Sequence, residues 1–87
     1  MRQAPEFFGE EDLTLIYIAK KLKEALKLEK LLTDSGLEYL VEPDKYRGGL
    51  IFVSERVGAF FYVAPKDTDA ARNVLISARY KPYGEGT

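Results

Sequence analysis

Residues 16–41 read IYIAKKLKEALKLEKLLTDSGLEYLV, and this passage decides the fold. It opens on β-branched and aromatic residues, runs through Leu, Lys and Glu, halts at Ser35-Gly36 and resumes as Leu37-Glu38-Tyr39-Leu40-Val41. The pattern predicts strand, helix, strand. Residues 20–35 are almost all good helix formers, and Gly36 stands where a left-handed C-cap residue belongs. At about 100° per residue, Ala25, Leu28 and Leu32 share one stripe, with Leu31 on one flank and Leu22 and Leu26 on the other. Lys20, Lys23, Lys27 and Lys30 take the opposite side. The apolar arc spans roughly 200°, wider than the ~100° that one sheet face covers. A further surface is therefore expected over Leu22 and Leu26. Glu29 falls inside the same arc, where an unpaired carboxylate is costly, so it is expected to pair with a basic residue or to sit at a contact rim. A symmetric interface using Leu22, Leu26 and Glu29 would meet both needs, which points to a homodimer.

Working outward, residues 13–18 are apolar on both parities, as in a strand covered on two faces. Residues 37–42 predict a second strand ended by Pro43, and 43–49 a polar loop closed by Gly48-Gly49. Residues 50–54 and 59–64 predict a third and a fourth strand, with 55–58 as their hairpin loop. Asp67-Thr68-Asp69 offers an N-cap for a second helix carrying Ala71, Val74, Leu75 and Ala78 at helical spacing and ending near Arg79. Residues 1–12 are expected to form an arm that docks through Phe7 and Phe8, and 81–87 a flexible tail. That leaves one domain over 13–80. The order β-α-β-β-β-α, or β-α-β-β-α if the middle strands are one bent ribbon, implies an α+β fold. Its expected form is a two-layer ferredoxin-like sandwich with a mostly antiparallel sheet and both helices on one face. Tyr17, Tyr39, Phe52, Phe60, Phe61 and Tyr62 are too many rings for two helices to cover. The surplus is expected to mark a partner or ligand surface.

Composition narrows the chemistry. The 87 residues give room for one core, which buries roughly 60% of the unfolded surface. There is no Cys and no His, so thiolate chemistry, the commonest general base and the commonest transition-metal ligand are all missing. An enzyme is not expected, nor a metal or other cofactor. With 13 basic and 14 acidic residues the net charge is −1, which gives no reason to expect nucleic acid or an anionic membrane as partner. The arm is acidic, with Arg2 against Glu6, Glu10, Glu11 and Asp12. No apolar run reaches the ~18 residues of a membrane span, and no export signal opens the chain, so a cytoplasmic location is expected. One Asn, one Gln and one Met among many charges is a bias seen in thermophile proteins.

Glu24, Ala25, Leu28, Leu31, Leu32 and Gly36, followed by Leu37, resemble the first-helix signature of the small bacterial signal transducing protein domains, E-A-x-x-L-x-x-L-L-x-x-x-G-I. Val63, Ala64, Pro65 and Asp67 resemble the V-A-P-x-D that precedes their last helix, and the likeness covers residues 13–78. It implies a fold distantly like that of PII signalling proteins. It transfers no functional residue, because the signature fixes only core and cap positions.

The candidate sites are few. Glu42, Asp44, Lys45, Tyr46 and Arg47 cluster beside Gly48-Gly49, whose backbone N–H groups could meet an anion with Lys45 and Arg47 adding charge. The plain alternative is a solvated turn. No phosphate-loop or dinucleotide fingerprint is present. Glu10, Glu11 and Asp12 are explained by solubility, and Asp67 and Asp69 by capping, before any cation is invoked. Ser54-Glu55-Arg56 has no base partner. Residues 47–54 begin like an RNA-binding octapeptide but lack the stacking aromatics at its third and fifth positions. The expected function is a non-enzymatic regulatory or protein-interaction module, homodimeric through a sheet face or the Leu22/Leu26 flank. The alternative is a small-anion or nucleotide sensor using residues 42–49.

Overall fold

A computed structural model describes residues 1–48 and 54–84. Among these residues are three strands, β1 (Thr14–Ala19), β2 (Leu40–Gly48) and β3 (Ser54–Val63), and two helices, α1 (Leu22–Asp34) and α2 (Thr68–Ser77). This is a small α+β fold with an antiparallel sheet in the order β1-β3-β2. Since β3 runs antiparallel to both neighbours, β1 and β2 are parallel, and α1 joins them across the intervening strand.

α1 begins two residues later than the helix formers from Lys20 predict. Lys21 occupies the N-cap position with no side-chain cap, and Glu24, three residues on, reaches back to the Lys20 N–H at 3.4 Å. Its end is a Schellman turn: Gly36 at φ 78°, with Gly36 N–H donating to the Thr33 carbonyl and Leu37 N–H to that of Leu32. The buried stripe is Ala25, Leu28 and Leu32. It packs with Ala71 and Leu75 of α2 against Ile16, Ala19, Phe61 and Val63 of the sheet, so both helices share one core. Tyr39 closes that core, its ring stacked 6.1 Å from Phe61 and its hydroxyl donating to the Glu29 carbonyl at 2.9 Å. Burying one such side chain contributes ~1.5–3 kcal/mol.

α2 follows a single 3₁₀ turn, Pro65–Asp67. Asp67 holds the expected N-cap position, but its carboxylate makes no cap bond. The helix closes with Tyr80 N–H on the Leu75 carbonyl at 2.9 Å and Arg79 at φ 69°, the left-handed conformation glycine usually supplies.

The middle of the chain departs from expectation. The loop predicted over 43–49 and the hairpin loop over 55–58 are strand as far as they are described. β2 continues through Pro43 to Gly48, and β3 begins at Ser54, with unbroken register from Leu40↔Tyr62 to Gly48↔Ser54. Pro43 is tolerated because β2 is an edge strand, where a missing N–H need not break the ladder. The predicted strand over 50–54 lies outside the described residues except for Ser54, and among the described residues the order is β-α-β-β-α. β1 pairs only as far as Ala19↔Ala59. Beyond that point β2 and β3 project as a two-stranded ribbon.

Segments before β1 and after α2 border the sheet. Arg2 bridges Tyr39 in parallel just before β2, and Phe8 of a 3₁₀ turn (Pro5–Phe8) is buried with Leu40 and Ala64 on the face away from the helices. Phe7, expected to dock with it, stays exposed. At the other edge Tyr83 N–H donates to the Ile16 carbonyl at 2.7 Å and Pro82 is buried, so the expected tail is docked over the part described.

Candidate ligand cleft

On the sheet face away from the helices, an open cleft of about 630 Å³ lies between β1, the ribbon and the docked tail. Its lining brings together Lys20, Lys45, Arg47 and Lys81 with Tyr46, Tyr83 and Phe60, and it includes no carboxylate. Each part arrives by a different route. Lys20 is the first residue past β1, Lys45 to Arg47 come from β2, Phe60 from β3, and Lys81 and Tyr83 from the tail.

Tyr46 is fixed by its neighbours. Its ring passes over Gly58, where a Cβ would lie 3.0 Å from the Tyr46 Cε1 and 3.0 Å from the Ala19 carbonyl oxygen. A side chain at 58 would lift the ring. The Lys20 ammonium sits 5.4 Å from the centre of the same ring, a cation–π contact worth ~0.5–1 kcal/mol at an exposed position. Tyr17, also on the lining, donates to Glu24 at 3.3 Å, and burial, then that carboxylate, pushes its hydroxyl up to about 12. It stays neutral at physiological pH and offers no base.

The residues singled out in the sequence are divided by the fold. Lys45, Tyr46 and Arg47 enter the cleft. Glu42 and Asp44 stand earlier on β2, opposite Phe60 and Gly58, and both add to the upward shift that burial imposes on Tyr62. Asp44 accepts the Lys45 N–H at 2.8 Å. Gly48 is paired in the ladder opposite Ser54, so it is not the open turn the anion nest required, and Gly49 lies outside the described residues. Lys20, Lys81 and Tyr83 were not anticipated.

A second, smaller feature lies on the helix side. Leu22, Ala25, Val41, Pro43, Val57 and Ala59 line a groove of about 290 Å³ between the start of α1 and the ribbon. Arg2, Lys20, Lys21 and Glu29 complete its walls, and Glu29 pairs with Arg2 at 3.4 Å, as its position on the helix required. Among the described residues nothing covers Leu22 and Leu26, which are 76% and 56% exposed.

Among the described residues, no group of three or more acidic or metal-ligating side chains could hold a metal ion, and no helix is long and apolar enough to cross a membrane. No family model, no curated protein and no solved structure matches this chain.

Proposed function

We propose that this chain is a non-catalytic binding module whose ligand is an aromatic anion of the nucleotide class, held in the cleft between β1, the ribbon and the tail. The observation that carries this reading is the convergence there of Lys20, Lys45, Arg47 and Lys81 on exposed and half-buried rings without a lining carboxylate. Cations supply charge-assisted bonds to phosphate oxygens, and the faces of Tyr46 and Tyr83 supply stacking surface for a base. With no His or Cys in the chain and Tyr17 held neutral, the cleft has the means to hold a nucleotide and none of the usual means to cut one. A sensor needs no more. The regulatory role implied by the likeness of residues 24–37 to signal transducing domains belongs to this proposal. So does a ferredoxin-like topology, supported by β3 lying between parallel β1 and β2 and by both helices packing into one core.

Calorimetric titration with ADP, adenosine and pyrophosphate tests the reading. ADP is expected to bind, with adenosine and pyrophosphate each at least about ten-fold weaker, and Lys45→Ala with Arg47→Ala is expected to abolish the heat. Absence of ADP binding at millimolar concentration, or binding unchanged in the double variant, would overturn it.

A further inference from the structure

Two apolar features of the surface have no cover among the described residues. One is the groove beside α1, with Leu22 at 76% and Val57 at 65% exposed on its walls. The other is Phe7, 56% exposed, in the same 3₁₀ turn that buries its neighbour Phe8. Their electrostatic surroundings are opposite. Arg2, Lys20 and Lys21 stand on the groove walls, and the single lining carboxylate, Glu29, is taken by Arg2 at 3.4 Å. Phe7 stands in sequence among Glu6, Glu10, Glu11 and Asp12, and no ion pair among the described residues reaches those four carboxylates.

We propose that the groove is filled by Phe7 of a second copy of this chain, with the acidic arm of that copy lying against Lys20 and Lys21. About a two-fold axis the contact is made twice, so the assembly closes as a dimer instead of growing. Charge selects this arrangement over the symmetric helix contact expected from Leu22, Leu26 and Glu29. A symmetric contact through Leu22, Leu26 and Glu29 would bring no surplus of negative charge to Lys20 and Lys21, because Glu29 is already paired with Arg2. An acidic arm is attracted instead. The arm is also anchored in advance, by Phe8 in its small core and by the Arg2 bridge to Tyr39, so Phe7 is presented on ordered backbone and little ordering entropy is lost on docking. The interface shares only Lys20 with the ligand cleft, so changes at Phe7, Lys21 and Leu22 test it without removing a side chain that lines the cleft.

Light scattering and sedimentation equilibrium on the full chain test the exchange. The expected mass is twice that of the 9.9 kDa chain. Phe7→Ala, Leu22→Glu and Lys21→Glu are each expected to weaken the dimer at least about ten-fold. Added salt is expected to weaken it too, since the arm is held in part by charge. All three positions are exposed, and unchanged far-ultraviolet circular dichroism confirms that the variants fold. An equimolar mixture of Phe7→Ala with Leu22→Glu retains one intact contact per mixed pair and is expected to associate more tightly than either variant alone. A wild-type monomer at millimolar concentration would overturn the proposal. So would a dimer unaffected by Phe7→Ala, a dimer that salt strengthens, or mass that grows beyond two chains.

Discussion

The two faces of the sheet are covered in different ways. On the helix side Ile16, Leu28, Leu32, Tyr39, Phe61, Val63 and Leu75 are each less than 2% exposed and belong to one continuous cluster. On the other side Phe8, Leu40 and Ala64 make a small cluster near the start of β2, and the surface beyond it opens into a cleft walled by charged side chains and rings. A domain of this size gains most of its stability where burial is contiguous. The second face can therefore carry polar, ligand-directed side chains without undoing the fold.

Alanine substitutions on the two faces give the sharpest contrast. Phe61→Ala removes a fully buried ring and is expected to cost ~3–5 kcal/mol, enough to leave a marginal protein largely unfolded. Phe8→Ala removes a ring from the small cluster and is expected to cost ~2 kcal/mol. Urea unfolding measures both, and equal losses would break the contrast.

A smaller effect, of opposite sign, lies at the turn that carries the chain from α2 toward the cleft. Arg79 holds φ 69°, a conformation costing ~1 kcal/mol for a residue with a Cβ. Arg79→Gly relieves it but enlarges the unfolded ensemble, leaving an expected gain of ~0.5 kcal/mol, read as a slightly higher melting temperature.

A further effect is one of pH. Tyr17 titrates near 10 in the unfolded chain and about 12 in the fold, so its contribution is complete below pH 10 and lost as pH rises toward 12. Burial shifts Tyr39 and Tyr62 in the same direction. Tyr17→Phe is expected to flatten, without abolishing, the fall in melting temperature across that window. A profile as steep as wild type would mean that the Glu24 contact and the burial of Tyr17 contribute little.

What the sequence revealed follows the same division. The stripe Ala25, Leu28, Leu32 and the stop at Gly36 were legible because burial writes a period into the residues and a left-handed turn selects glycine. The ribbon was not legible. Glu42, Pro43, Asp44, Lys45 and Arg47 on β2, and Glu55, Arg56 and Val57 on β3, are all exposed, so no alternation of apolar and polar marks them as strand. Gly58, read as a turn residue, is in the strand where the Tyr46 ring crosses it. The cleft was half visible. Lys45, Tyr46 and Arg47 stand together in the chain, whereas Lys20 belonged to what looked like a solvated lysine face and Lys81 and Tyr83 to a tail. Nothing local announces their meeting, which depends on the parallel placement of β1 and β2 and on the bond from Tyr83 to Ile16.

The ribbon also bears on the order of folding. Gly48 and Ser54 are six residues apart, whereas Thr14 and Val63 are separated by 49. Closing the longer loop costs about 2 kcal/mol more chain entropy, so β2 and β3 are expected to zip first and β1 to join late. Substitutions in the ribbon should then slow folding, while those in β1 mainly hasten unfolding. The cleft needs β1, the ribbon and the tail together, so its competence to hold a ligand would be the last property the chain acquires and the first it gives up.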